Sequence, residues 1–236
     1  MNLELALRPD CDAPAREAQN PHAALACRYV EALLRLDRDG AQRHVEAALA
    51  DGIPVRSIYL DVLAASQWEI GRRWERHEIS VAQEHYCTAA SQVIMARLGA
   101  ALPATAATAP LLVAACARGN LHEFGLRLLA DLFAMAGWRT VYLGAGVPDA
   151  DLVALASDAR ADVIALSASL EAHVPRVANT VRALRDHPRA RRAMILVGGD
   201  AFNATPGLWR EVGADGHAAD AGEAVAVATR MMREDA

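Results

Sequence analysis

The apolar residues of this 236-residue chain keep one period up to about residue 101 and a different one after residue 110, and that change limits the fold more than any other feature. Between the two lies 102–110, Leu102-Pro103-Ala104-Thr105-Ala106-Ala107-Thr108-Ala109-Pro110, which is uncharged, holds two prolines and has no period. Such a segment reads as a linker. Before it, Leu25, Tyr29, Ala32, Leu33 and Leu36 recur at the three- and four-residue steps of a helix face. A helix from Ala23, ending near Asp39 and Gly40, is followed by predicted helices over 41–50, 55–75 and 80–100, the last with Ser80 as its N-cap. Four consecutive helices with short connections make an antiparallel bundle over 21–101. Residues 1–20, with Pro9 and Pro14 among acidic and small residues, carry no sustained period and read as a flexible tail.

After the linker, strand and helix alternate. Leu111–Cys116, 140–143, Val163–Ser167 and 194–197 are short apolar runs separated by helix-length segments, the first of them 122–137. A last short strand near 215–217 precedes a helix over 221–232. Buried-type strands alternating with helices predict a parallel sheet covered on both faces. The expected fold is therefore α/β: an N-terminal four-helix bundle followed, over 111–236, by a five-stranded parallel sheet in flavodoxin-like, Rossmann-type order. Sheets of that kind bind ligands at the carboxyl ends of their strands.

Composition removes several function classes. Hydrophobic residues make up 53 % and aromatic residues only 5 %, so Ala, Leu and Val carry the core, which suits helices and close α/β packing. A net charge of -5 lacks the basic field that holds nucleic acid through its phosphates, so no direct nucleic-acid contact is expected. All 24 basic residues are arginine; without lysine there is no Schiff base, no pyridoxal phosphate attachment and no P-loop lysine. Neither a leader segment nor an apolar run of about 18 residues is visible. Cys11, Cys27, Cys87 and Cys116 form no C-x-x-C pair. A reduced, cytoplasmic protein that does not touch the membrane is expected. His77-Glu78 and His122-Glu123 do not continue to H-E-x-x-H, and no G-x-S-x-G elbow occurs, which argues against a zinc protease and a serine hydrolase.

Chemistry gathers at the predicted strand ends. The first strand is followed by Ala117-Arg118-Gly119-Asn120-Leu121-His122-Glu123-Phe124-Gly125. His122 can offer one ring nitrogen to a metal while Asn120 orients the other, or it can simply cap the helix that follows. The third strand ends in Ser167-Ala168-Ser169-Leu170 and the fourth in Gly198-Gly199. These small and polar groups leave a slot for a flat or elongated ligand, or they punctuate ordinary strand-to-loop turns. In the helical half, Trp74, Val81, Glu84 and His85 form a W-x9-E-H pattern, with the last three on one helix face. The alternative puts Trp74 in the core or a seam and leaves Glu84 and His85 as a solvated pair. Arg189, Arg191 and Arg192 read as a solvated helix end or a docking patch, and His173 and His217 fall in loops near the sheet's carboxyl edge, His217 with Asp220 and Glu223.

The strand-end residues resemble the D-x-H-x-x-G, S-x-L and G-G signature of the cobalamin-binding fold shared by methionine synthase, corrinoid methyl carriers and adenosylcobalamin mutases. Asn120 stands where the signature has aspartate, and Ser169 where it has leucine. The resemblance implies that His122 ligates cobalt from below, displacing the cofactor's own benzimidazole. It also implies that Asn120, Glu123, Phe124, Gly125, Ser169 and Leu170 line the cofactor, that Ser167 hydrogen-bonds the detached base, and that Gly198 and Gly199 give it room. The W-x9-E-H pattern resembles the cap of CarH-type light-sensing cobalamin regulators, where the tryptophan covers the upper face of the cobalt. That resemblance implies cofactor contacts for Trp74, Val81, Glu84 and His85. Glu75 follows Trp74 where that group has a histidine, and Asn120 lacks the charge with which a methyl carrier tunes its imidazole.

Nothing before Ala23 is long enough for a winged helix, so the chain is more similar to the AerR/PpaA regulators, which act on a separate transcription factor. The expectation is a cobalamin-dependent photoreceptor and transcriptional regulator, not an enzyme, that acts through a partner repressor. It would hold adenosylcobalamin, with the methyl and hydroxo forms as alternatives, and its helical surface is open to homo-oligomer formation. A corrinoid methyl-carrier subunit of a methyltransferase and a haem-binding sensor share the layout and stand as alternatives.

Overall fold

A computed structural model describes residues 20–234; residues 1–19 of the expected tail lie outside the described residues. The chain divides into two compact units, one up to Ala100 and one from Ala101.

The first unit is helical. Helix α1 (Ala23–Leu34) stops where Leu36 takes a φ of 61°, and α2 (Arg38–Ala50) starts earlier than its apolar residues indicate. The cause is Asp37, whose Oδ1 accepts the Gly40 N–H at 2.7 Å and so caps the helix from three residues upstream. The expected third helix is continuous but not uniform: α3 (Val55–Ser57) opens into a π-helical stretch, Ile58–Ala64, and closes again as α4 (Ala65–Glu75). Helix α5 (Val81–Ala100) begins at Ser80 with a reciprocal cap. Gln83 N–H donates to Ser80 Oγ at 3.2 Å, and Ser80 N–H donates to Gln83 Oε1 at 2.9 Å.

Tyr29, Leu33, Tyr59, Leu63, Ile70, Ile94 and Met95 are buried in this core. A polar thread runs through it. Tyr29 donates its hydroxyl proton to Ser91 Oγ at 2.9 Å, and Gln67 Nε2 donates to the same oxygen at 3.1 Å. Thr88 Oγ1 lies 2.9 Å from Gln67 Oε1 and 3.0 Å from Glu84 Oε1, so its one proton serves either acceptor. Burial pushes the Tyr29 hydroxyl well above the usual tyrosine range.

The second unit is the parallel sheet: β1 (Leu111–Cys116), β2 (Arg139–Gly144), β3 (Val163–Ser167), β4 (Met194–Gly198) and β5 (Gly216–Ala218), in the order β2-β1-β3-β4-β5. Its helices are α6 (Phe124–Met135), α7 (Asp149–Ala159), α8 (Val174–Asp186), the short α9 (Asp200–Ala204) and α10 (Leu208–Glu211), and α11 (Ala221–Glu234). Successive β1 side chains point to opposite faces. Leu112, Ala114 and Cys116 join Leu126, Phe133, Val227 and Met231 of α6 and α11. Val113 and Ala115 join Leu152, Ala156, Val177 and Val181 of α7 and α8. This is the expected α/β architecture with both faces covered. Among the described residues no helix is long and apolar enough to cross a membrane.

Candidate functional site

Strand register brings the sequence motifs to one edge. Cys116 pairs with Ser167, Ser167 with Gly198, and Gly198 with Ala218, so the loops that carry His122, Ser169 and Gly199 all leave the sheet at its carboxyl end. Asn120 is fully buried there. Its Nδ2 donates to the Ser167 carbonyl at 3.1 Å, a group that can only accept, so the amide has one orientation and Oδ1 faces His122. Oδ1 accepts the His122 backbone N–H at 3.3 Å and lies 3.3 Å from the ring Nδ1. An amide oxygen cannot donate, so Nδ1 carries a proton, and Nε2 is the ring nitrogen left for a metal. The exposed imidazole is thereby set in the tautomer that a metal ligand needs.

That turn also changes the helix. Helix α6 starts at Phe124, two residues later than its apolar pattern indicates, because Asn120 captures the His122 N–H. No side chain caps α6, so the capping role open to His122 is not the one the structure gives it.

Glu123 and Phe124 turn inward rather than toward the edge. Glu123 Oε2 accepts the Ala145 N–H at 3.0 Å and sits against Tyr142, whose ring carries the Arg127 guanidinium 5.3 Å from its centroid. Burial raises the Tyr142 hydroxyl above its usual range, and Glu123 adds to it; burial pushes the Cys116 thiol up to about 12, again with help from Glu123. Phe124 is part of the core. Both residues therefore brace the His122 loop through the protein.

The motif glycines separate into two kinds. Gly199 has a φ of +98°, and a Cβ there would collide with the Ala168 carbonyl, its carbon 2.9 Å away, so the β3–β4 junction itself demands glycine. A Cβ on Gly198 would lie 3.2 Å from the Ala218 carbonyl oxygen. Gly125, by contrast, is exposed in the first turn of α6 with nothing within 4 Å of a Cβ. No neighbour in the protein requires a glycine there. Ser167 and Ser169 are half-buried, and Leu170 is exposed. The sequence reading missed Leu121, which is 77 % exposed beside His122.

In the helical unit Trp74 is 44 % and Val81 53 % exposed, so Trp74 is not a core residue. His85 is exposed with its Nε2 3.6 Å from Glu84 Oε2. Pattern reading also missed Trp68, 56 % exposed, and the Gln67–Thr88 link behind Glu84. Of the remaining candidates, Arg189 pairs with Asp158 at 3.5 Å, while Arg191 and Arg192 are exposed. Asp220 and Glu223 are spent on the start of α11: Asp220 Oδ1 accepts the Glu223 N–H and Glu223 Oε2 accepts the Ala219 N–H, both at 2.9 Å. Asn203 holds His217 Nε2 at 3.0 Å, and burial lowers the His217 pKa. His173 Nδ1 is buried without a hydrogen-bond partner.

The residues at the sheet edge fit a corrinoid. Among the described residues no three His, Cys, Asp or Glu side chains gather into a metal cage. One imidazole with a free Nε2 suits a metal that brings its other ligands with it. The open space over Gly125 and the exposed Leu121 and Leu170 suit a large, partly apolar ring system.

Comparison with known proteins agrees. Residues 110–226 match a B12 binding domain family, and residues 25–98 match a second B12 binding domain family. Dimethylamine corrinoid protein 3 of Methanosarcina acetivorans is 26 % identical over 203 residues, 86 % of this chain and 94 % of that protein. Dimethylamine corrinoid protein 2 of the same organism is 28 % identical over 174 residues, 72 % of this chain and 79 % of that protein. The structure of the Methanosarcina barkeri monomethylamine corrinoid protein shares the fold, with a TM-score of 0.77 and 23 % identity, over 89 % of this chain and 100 % of that one.

These relatives overturn the expected light-sensing regulator. Proteins matched along most of the chain are corrinoid proteins named for methylamines, so the photoreceptor and its transcription-factor partner are withdrawn. The W-x9-E-H pattern that carried that reading falls inside the 25–98 match to a B12 binding domain family. Most of the described residues fall within the two matches, and the chain is a cobalamin-binding protein.

Proposed function

We propose that this protein is a corrinoid methyl carrier: a subunit that holds a methyl group on cobalt and presents it to a partner methyltransferase, with a methylated amine as the methyl source. Similarity to dimethylamine corrinoid proteins over 86 % of the chain supports this reading, and so does the shared fold of the monomethylamine corrinoid protein. The observation that carries it is the buried Asn120 amide, which occupies His122 Nδ1 and leaves Nε2 as the ring nitrogen open to a metal at the end of β1.

A bound corrinoid would supply methyl-transfer chemistry at its cobalt. The rest falls to this chain. His122 would hold the cobalt through Nε2. Asn120 holds the ring through Nδ1 without adding charge beside it. Gly125 leaves the approach to the loop open, Ser167 and Ser169 offer hydroxyls to a polar tail, and Gly198 keeps the neighbouring strand end bare. Leu170 supplies apolar contact, and on the helical unit Trp74, Val81, Glu84 and His85 are the cofactor-contact residues we assign.

Reconstitution with methylcobalamin followed by desalting tests the reading. Wild-type protein should retain the cofactor with a lower-ligand absorption shift and, given a partner methyltransferase, pass the methyl group to an acceptor thiol. His122→Ala should lose both shift and retention; a variant that keeps them would overturn the assignment of His122.

A further inference from the structure

A cleft of about 500 Å³ opens between the loops after β1 and β2 and the helices α7 and α8, lined by Arg118, Gly119, Gly146, Asp149, Arg176 and Asn179. None of these residues belongs to the cofactor site above. We propose that this cleft binds a phosphate-class oxyanion. Its side chains are charged or polar, two guanidinium groups, one carboxylate and one amide. Asp149 Oδ1 and the Arg176 carbonyl share the Thr180 hydroxyl proton, at 2.8 and 3.0 Å, and with the Asp149 charge counted the two arginines still leave the cleft net positive.

The arginines are arranged rather than stray. Arg176 Nη1 donates to the Arg118 carbonyl at 2.6 Å, which orders its guanidinium and leaves the other N–H groups for a ligand. The bond is possible because residue 119 is glycine with a φ of +84°; any Cβ there would collide with Nη1. Gly119 and Arg176 are thus fitted to each other. Arg118 has no carboxylate partner among the described residues. A planar guanidinium fork matches phosphate oxygens two at a time, and the cleft lies at the carboxyl ends of parallel strands, where this architecture binds ligands.

The oxyanion has two sources: a free phosphate compound, or the phosphodiester in the cofactor's own nucleotide loop. The test uses the full-length apo protein with inorganic phosphate at constant ionic strength, followed by calorimetry. Saturable binding is expected, weakened about tenfold or more in Arg118→Gln and in the Arg118→Gln/Arg176→Gln pair, and unchanged in Arg191→Gln/Arg192→Gln. Arg118→Gln removes a side chain with no bond to lose, so it separates binding from folding. Cobalamin and cobinamide, which lacks the nucleotide loop, identify the source. Loss of affinity for cobalamin alone in the double variant assigns the cofactor's phosphodiester; unchanged affinity for both, with phosphate binding lost, assigns a free phosphate compound. Phosphate binding that survives both arginine substitutions overturns the proposal. So does the absence of saturable binding up to about 10 mM together with unchanged cobalamin affinity in the variants. Neither result depends on methyl transfer.

Discussion

Replacing Gly125 by alanine separates what the fold needs from what a ligand needs. The residue sits in the first turn of α6, and an added methyl would meet no heavy atom within 4 Å. Alanine is preferred to glycine in a helix by about 0.5–1 kcal/mol, because the unfolded chain has less freedom to lose. For a protein of this size, 1 kcal/mol corresponds to about 2–4 °C in melting temperature. The apo variant should therefore melt roughly 2 °C higher than wild type by scanning calorimetry. The same methyl fills the space beside the His122 loop. Forcing one carbon into a close contact costs about 1–3 kcal/mol, so the Kd for cobalamin, titrated by absorbance, should rise about fivefold to 150-fold. A lower melting temperature would refute the claim that the protein leaves this position free. Unchanged cobalamin affinity would refute the claim that the glycine serves the cofactor.

Gly199→Ala should act in the opposite sense on the apo protein, because it combines a left-handed backbone with a collision at Ala168: a loss of about 3 kcal/mol in urea unfolding is expected, and near-neutral behaviour would contradict the geometry. Tyr29→Phe removes the hydroxyl that feeds Ser91 and should cost about 1–2 kcal/mol in the same assay, and adding Ser91→Ala to that variant should cost about 1 kcal/mol more, because Gln67 Nε2 then loses its acceptor. Burial holds the thiols of Cys87 at about 11 and Cys116 at about 12, above their ordinary 9.0, so the folded state binds their protons more tightly than the unfolded chain. Under reducing conditions stability should be at full strength below pH 9 and fall as pH rises toward 11–12, and Cys87→Ala should flatten part of that decline.

Much of the fold was legible because the apolar period is clean. Leu111–Cys116 and Val163–Ser167 are read to the residue from uninterrupted apolar runs, and Ser80 from its place ahead of a helical pattern with Gln83 three residues on. The sequence hid features that depend on one side chain meeting distant backbone. His122 and Glu123 look helical, but Asn120 reaches the Ser167 carbonyl across the sheet and holds His122 outside the helix. Glu123 looks like an outward neighbour of His122, yet the Ala145 N–H, 22 residues away, draws it in. The π-helical stretch is invisible because its buried residues, Ile58, Tyr59, Val62 and Leu63, still fall at near-helical spacing. The error about light had another origin: a tryptophan and a Glu-His pair fix a contact surface, and the chemistry done at that surface is not written in their spacing.

The widened turns between Ile58 and Ala64 set the angular frame of everything that follows them in the helix. Each residue of an α-helix advances the chain by about 100° around the axis, and a π stretch absorbs about one residue more than regular turns would. Helix α4 is therefore rotated by about that angle relative to an unbroken helix running on from Val55. In the observed setting Gln67 meets both Ser91 and Thr88 on α5, Ile70 is buried, and Trp68 and Trp74 face solvent. A one-residue deletion within 58–64 would restore regular geometry and barely change composition, yet it would swing Gln67 off α5 and redirect both tryptophans. Insertions and deletions in this stretch are thus a route by which a relative could re-aim one side of its helical domain in a single step, leaving the sheet domain untouched.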